Sequence, residues 1–224
     1  MKNVEKLQKE SNRDYAFRVI RENIIKLVLK PGTMLSEQDL ADELELSRTP
    51  VHEALQELSK SKIIEVFPQK GSLVTPIDLE LVEEAVFVRA TLESAVTEQA
   101  ALLATDEDIK YLKENLELQE FLLKQNNIDK FMETDNAFHE KMYAITNKMQ
   151  CYYMVKAMNI HHDRFRELRV HGADRTPIIR QHKQILEAVT QHNSDLAKKY
   201  TYEHITRTRI DVAEIQKKYP EYFV

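Results

Sequence analysis

Only one cysteine, Cys151, occurs in the 224 residues, so no intrachain disulfide can form, and in its apolar stretch this thiol reads as packing rather than redox chemistry. Glycine and proline are also scarce. The three glycines stand at 32, 71 and 172 and there are six prolines, so long segments run uninterrupted, which favours helix after residue 75. No run of 18 apolar residues occurs, and the opening Met1-Lys-Asn-Val-Glu-Lys has no apolar core. These absences predict a cytoplasmic protein with no membrane partner. No surplus of positive charge is present either: the formal net charge is −5, and counting residues 1–78 and 79–224 separately gives 12 basic against 13 acidic in the first part and 20 against 24 in the second.

The length exceeds the usual size of a single domain, about 100 to 150 residues. A cut near Asp78 leaves two segments, 1–77 and 78–224, each long enough to bury a core. In the first, Tyr15, Val19, Ile20, Ile24, Leu27 and Val28 form one apolar stripe of a bracing helix, preceded by a loose polar arm. Ser36 can cap a helix carrying Leu40, Ala41 and Leu44, and Ser47 can cap a second in which Pro50 falls in the first turn, where its missing N–H has no intrahelical role. The stripe Val51, Ala54, Leu55 and Leu58 packs that second helix inward and leaves Arg48, Thr49 and His52 at its exposed N-terminal end. In a helix-turn-helix this end enters the major groove of DNA. The β-rich runs 63–67 and 72–75, separated by Pro68-Gln-Lys-Gly71, predict a hairpin wing tipped by Lys70 and Gly71. With so little net positive charge, phosphate contacts must be local, Asp42, Glu43 and Glu45 must face away from DNA, and a dimer would double a small set of contacts.

The runs Pro31-Gly-Thr-Met-Leu-Ser-Glu-Gln-Asp-Leu-Ala and Ser47-Arg-Thr-Pro-Val-His-Glu-Ala-Leu55 resemble the GntR family of transcription regulators. The resemblance implies that Arg48 reads the operator and that Gly71 is the wing-tip glycine. Two positions depart from the family pattern: His52 stands where arginine is usual, and Gln38 precedes Asp39 where arginine is frequent in the branch with long regulatory domains.

The second segment reads as six helices, at about 78–103, 106–125, 128–146, 149–169, 176–192 and 194–217, with Asp78 as the first cap. Short breaks imply an antiparallel bundle. Polar residues interrupt its apolar stripes. Asp135 and His139 are four apart on the register Ile128, Phe131, Met132, Met142 and Ile145 or Thr146. His182 lies among Ile178, Ile185, Leu186 and Val189, and His204 aligns with Ala197, Tyr200 and Thr208. One aspartate and three histidines from three helices can converge on a divalent cation, because imidazole and carboxylate suit zinc, nickel, iron or manganese. A histidine on an apolar face is more often a satisfied core group, and the residues alone leave both readings open. Arg89 shares a face with Val82, Ala85, Val86, Leu92 and Val96. It can pair with Glu93 at i+4, or aim its planar fork at an effector carboxylate. Arg164, on the stripe Tyr153, Ala157, Ile160 and Leu168, is a second effector candidate, while His161, His162, His171 and His192 fall at helix ends or exposed faces.

Residues 78–217 also resemble FCD, the ligand-binding domain of the FadR-type branch, whose metal-bearing members carry Asp-x-x-x-His, a histidine, and another about 22 positions on. Asp135-Asn-Ala-Phe-His139, His182 and His204 fill that pattern, the last two being 22 apart. The resemblance implies a metal, with zinc first in order, and a small organic acid as effector. The expected fold is thus mainly α, a winged helix-turn-helix followed by a helical bundle. The expected function is a DNA-binding regulator, a repressor, acting as a homodimer on a two-fold symmetric operator and controlled by a carboxylate at the metal. Two rivals are a purely structural metal and a metal-dependent hydrolase. The second lacks a separate acid or base: Glu140, beside His139, points about 100° around the helix from it.

Overall fold

The computed structural model describes residues 1, 4–172 and 174–224, with the side chains at 172 and 208–211 outside the description. Among the described residues there are eleven α-helices, one 3-10 turn and one small sheet: α1 Asn12–Ile25, β1 Met34–Leu35, α2 Glu37–Glu43, α3 Arg48–Lys60, β2 Ile64–Phe67, β3 Gly71–Val74, α4 Leu79–Leu103, α5 Asp106–Lys124, α6 Ile128–Ile145, α7 Met149–Met158, α8 Ile160–Gly172, α9 Thr176–Thr190, α10 Ser194–Thr206 and α11 Thr208–Lys218. None of these helices is long and apolar enough to cross a membrane. They form two compact units that do not follow a single cut in the chain. The first joins Met1–Val82 to Ile160–Leu168 and Glu214–Val224; the second joins Glu83–Asn159 to Arg169–Ala213.

In the first unit one of the two expected serine caps is made and the other is not. Ser36 Oγ accepts from the Asp39 amide at 3.3 Å, while Ser47 precedes α3 without a side-chain cap bond. The turn between α2 and α3 closes on Glu45, whose φ is +55°, with Leu46 N–H donating to Ala41 O at 2.9 Å and Glu45 N–H to Asp42 O at 3.3 Å. This pair of bonds is the Schellman closure, in which a left-handed residue satisfies carbonyls that a helix end leaves open. Strand order is β1-β3-β2, all antiparallel, with Phe67 opposite Gly71 at the wing tip and Met34 opposite Leu73. Val19, Ile20, Ile24, Leu40, Val51, Leu55, Leu58 and Ile64 form the core, joined by Ile160 from α8. The segment before α1 is less loose than expected: Arg18 Nε and Nη2 both reach the Glu10 carboxylate at 2.8 Å.

The second unit is helical throughout. α4 begins within the first unit's residues, where Asp78 Oδ1 accepts from the amides of Glu80 and Leu81 as expected, and Thr105 with Asp108 forms a capping box at α5. The breaks expected at Asn126, Asn147 and His192 are present, and each is a Schellman closure on a left-handed residue, with φ of +52°, +55° and +53°. The break expected at His171-Gly-Ala includes Ala173, which lies outside the described residues. Two expected helices are each divided. The segment 149–169 breaks at Asn159 into α7 and α8, and 194–217 breaks at Arg207 into α10 and α11, so eight helices follow the wing rather than six. Neither break carries glycine or proline. At Asn159 the amide still bonds the Val155 carbonyl at 2.9 Å, so the helical ladder of α7 runs up to the break itself. The division also ends the stripe that linked Tyr153 to Arg164: Tyr153 is exposed on α7, and Arg164 is buried in the first unit.

Gly71 holds φ at +111°, and a Cβ there would stand 2.6 Å from Leu35 O. Gly71→Ala should therefore open the β1-β3 pairing and lower stability by about 1 to 3 kcal/mol, read as a reduced midpoint in urea unfolding.

Candidate functional site

Three helices of the second unit bring the expected metal residues together. α6 supplies Asp135 and His139, α9 His182 and α10 His204, all buried. α4 stands behind them with Arg89 and Glu93, both also buried. The ligand nitrogens of His139, His182 and His204 all lie within 4.8 Å of one another. His182 Nε2 and His204 Nε2 are 3.2 Å apart, close to the spacing of about 3.3 Å between two nitrogens bound at about 2.0 to 2.1 Å to one tetrahedral ion. Asp135 flanks the group, with Oδ1 3.8 Å from His182 Nε2 and Oδ2 3.9 Å from His139 Nε2.

The other ring nitrogens are held from outside. His182 Nδ1 meets Gln119 Oε1 at 2.8 Å, His139 Nδ1 meets Glu93 Oε2 at 2.9 Å, and His204 Nδ1 meets Gln181 Oε1 at 3.2 Å. Gln119 is itself fixed: its amide donates to Asn115 Oδ1 at 2.8 Å, and Asn115 Nδ2 donates to the Thr134 carbonyl at 3.1 Å. That chain leaves Gln119 Oε1 as an acceptor, so the proton of His182 sits on Nδ1 and its Nε2 lone pair faces inward. The same logic at Glu93 and Gln181 turns the Nε2 atoms of His139 and His204 inward as acceptors. Three lone pairs then converge, and His139 Nε2, fully buried, has no hydrogen-bond partner. Acceptors facing each other without a proton or cation between them are unfavourable, so this donor set fits a divalent ion. Burial, then His182 and His139, push the His204 imidazole well below its ordinary pKa, which keeps its lone pair available.

Sequence reasoning missed the outer layer. Glu93 entered only as a partner for Arg89, and Asn115, Gln119 and Gln181 did not enter; the one sequence signal, at Glu93, Asn115 and Gln119, is that buried positions on apolar stripes carry polar residues. Arg89 does pair with Glu93, Nε to Oε1 at 2.7 Å. Burial pushes the Glu93 carboxyl up, but its neighbours Arg89 and His139 outweigh it and hold the group at about 2. Arg164 is not brought to these histidines. It belongs to the first unit, where its guanidinium donates to the Thr75 and Pro76 carbonyls. His161 and His162 are buried rather than exposed, and His161 Nε2 bonds the Ser61 carbonyl at 2.9 Å, at the end of α3.

In the first unit, Gln38, Arg48, His52, Lys70 and Gly71 line one open cleft of about 510 Å³ between the start of α3 and the wing. Ser47 and Thr49 flank it at the start of α3. Glu37 is set among these residues: its Oε1 meets His52 Nδ1 at 2.7 Å and its Oε2 lies 3.4 Å from Arg48 Nη2. Hydrogen bonding from His52, then from Arg48, lowers the Glu37 carboxyl below its ordinary range despite partial burial. Gln38 turns to Asp42, its amide donating to Oδ1 at 2.7 Å.

A helix-turn-helix with a three-stranded wing, and a helical unit enclosing a buried cluster of histidines, fit a DNA-binding transcription regulator with a ligand domain. Residues 13–74 match the bacterial regulatory proteins of the gntR family and residues 84–207 match the FCD domain, so the chain belongs to the GntR family, in its FCD-bearing branch. It is 27% identical over 208 residues to the HTH-type transcriptional repressor RspR of Escherichia coli K12, covering 92% of this chain and 91% of that protein. It is 30% identical over 214 residues to an HTH-type regulator from an unstable DNA locus of Streptomyces ambofaciens, covering 95% and 90%. Among solved structures, E. coli McbR/YncC superposes with a TM-score of 0.78 at 19% identity, over 94% of this chain and 99% of that one, a likeness of fold. The family binds DNA through the winged helix and small-molecule effectors through the FCD domain, and its members are regulators rather than enzymes. The hydrolase alternative is thereby set aside.

The Arg89–Glu93 pair generates a stability test. Glu93→Leu removes the nearest carboxylate from a buried guanidinium and should cost about 3 to 5 kcal/mol in chelator-treated protein. Arg89→Leu combined with Glu93→Leu should recover most of that loss in the same urea titration.

Proposed function

We propose that this protein is a repressor that acts as a homodimer on a two-fold symmetric operator and is released or engaged by a small carboxylate bound at a metal centre. The start of α3 enters the major groove with Arg48, Thr49 and His52, preceded by Ser47 and flanked by Gln38, while Lys70 and Gly71 bring the wing to the adjoining backbone. His139, His182 and His204 hold a divalent ion, zinc by preference with nickel, manganese or iron as alternatives, and Asp135 completes the set. The ion, when bound, supplies a Lewis-acid seat for a carboxylate oxygen. Arg89 offers a second contact for the same carboxylate, and the effector changes DNA affinity by preferring one state of the chain over another.

The observation that carries the metal reading is the convergence of three buried histidine nitrogens within 4.8 Å of one another, with His139 Nε2 left unbonded. A second reading, a purely structural ion, draws on the engagement of Arg89 with Glu93, which occupies the guanidinium. The readings separate on one measurement: a structural ion predicts the same DNA affinity with and without candidate carboxylates.

Elemental analysis of protein purified without chelator or a nickel column should find about one divalent ion per chain, absent from the His182→Ala, His204→Ala double variant. No metal in either protein would reduce the cluster to polar packing. At the other site, Arg48→Ala should weaken specific DNA binding by about 1 to 3 kcal/mol with thermal unfolding unchanged, as a bidentate base contact requires. Undiminished affinity would remove Arg48 from the reading face.

A further inference from the structure

We propose that His52 sets base preference in this chain through its Nε2 atom, held toward DNA by Glu37, and that it takes up a proton when DNA binds. The inference rests on the reading face assigned above to α3 and the wing. Glu37 lies at the start of α2, and its carboxylate accepts from His52 Nδ1 at 2.7 Å. Because an ionised carboxylate only accepts, Nδ1 carries hydrogen in both charge states of the imidazole. The opposite nitrogen, Nε2, has no hydrogen-bond partner among the described residues, and the side chain is 51% exposed into the cleft.

Nε2 is therefore the atom that changes with the proton. Neutral, it accepts, matching the exocyclic amine of cytosine or adenine; protonated, it donates, matching guanine O6 or N7. The charged and titratable groups lining the cleft are Glu37 from α2, Arg48 and His52 from α3, and Lys70 from the wing. In the free protein, the positive charges of Arg48 and Lys70 oppose a third positive charge and Glu37 favours it. A duplex adds phosphates to this balance and tips it toward imidazolium. Imidazole is the side chain that ordinarily changes charge between pH 5 and 8. Since the bound state holds the proton more tightly, DNA affinity increases as pH falls through that range. Glu37 is a positioning residue here, setting the ring edge and tautomer without itself meeting the base.

The test uses the full chain and a duplex that this protein enriches from a random-sequence DNA pool, with affinity measured at constant ionic strength from pH 8 to pH 6. The wild type should bind roughly tenfold more tightly at the lower pH. His52→Arg should bind with a flat profile. His52→Gln should also be flat and should enrich a sequence altered at the contacted position. A wild-type profile as flat as that of His52→Gln, or a slope retained in both variants, overturns the proposal. Arg48→Ala on the same duplex separates the two levels: a flat wild-type profile with Arg48→Ala weakened sinks only the role of His52, whereas Arg48→Ala binding like wild type sinks the reading face itself.

Discussion

A buried imidazole must have both ring nitrogens accounted for, and the second unit meets the outer half of that demand three times over. Each histidine is held at Nδ1 by a side chain from a different position: Glu93 on α4, Gln119 on α5 and Gln181 on α9. The partner of Gln119 is Asn115, one turn away, and that amide is anchored on a backbone carbonyl of α6. Phe138 lies flat against His182, with ring centroids 4.5 Å apart and planes 16° from parallel. Ring rotation is thus opposed by a stack as well as by a hydrogen bond. The cost of leaving such groups unsatisfied, about 1 to 3 kcal/mol each, explains why five helices contribute polar atoms to so small a volume.

The winged helix meets the opposite requirement. Its polar groups must stay exposed and yet ordered, because long side chains that are free in solution lose entropy when they dock. Glu37 does this work at the cleft by tethering Arg48 and His52 on neighbouring turns of α3. The tether is weakest at Arg48, 3.4 Å away and 65% exposed, which leaves its guanidinium free to exchange a carboxylate for a base or phosphate.

How much of this was readable in advance depended on whether the signal was local. The caps at Ser36 and Asp78, the wing, and the breaks at Asn126, Asn147 and His192 all followed from side chains acting within a few residues of themselves. Asp135, His139, His182 and His204 could be placed because each interrupts an apolar stripe of fixed period. Gln119 and His182 are 63 residues apart, and nothing in either stripe says that one will meet the other. The breaks at Asn159 and Arg207 were missed because apolar spacing runs on through both, and Arg164 was misplaced for the same reason. Scarcity of glycine obscured nothing, since this chain closes helices with Leu27, Glu45, Asn126, Asn147 and His192 at positive φ.

The first unit is not made of the N-terminal segment alone. Ile160 sits in the core with Val19 and Leu58, His161 bonds the carbonyl that ends α3, and Arg164 occupies the two carbonyls where the chain leaves β3. The winged helix of this chain is accordingly not a portable cassette. A chimera spliced after residue 77 would inherit a hole where Ile160 packs and three backbone carbonyls stripped of their donors. Transfer of this chain's DNA-binding head would require the first two turns of α8 to travel with it.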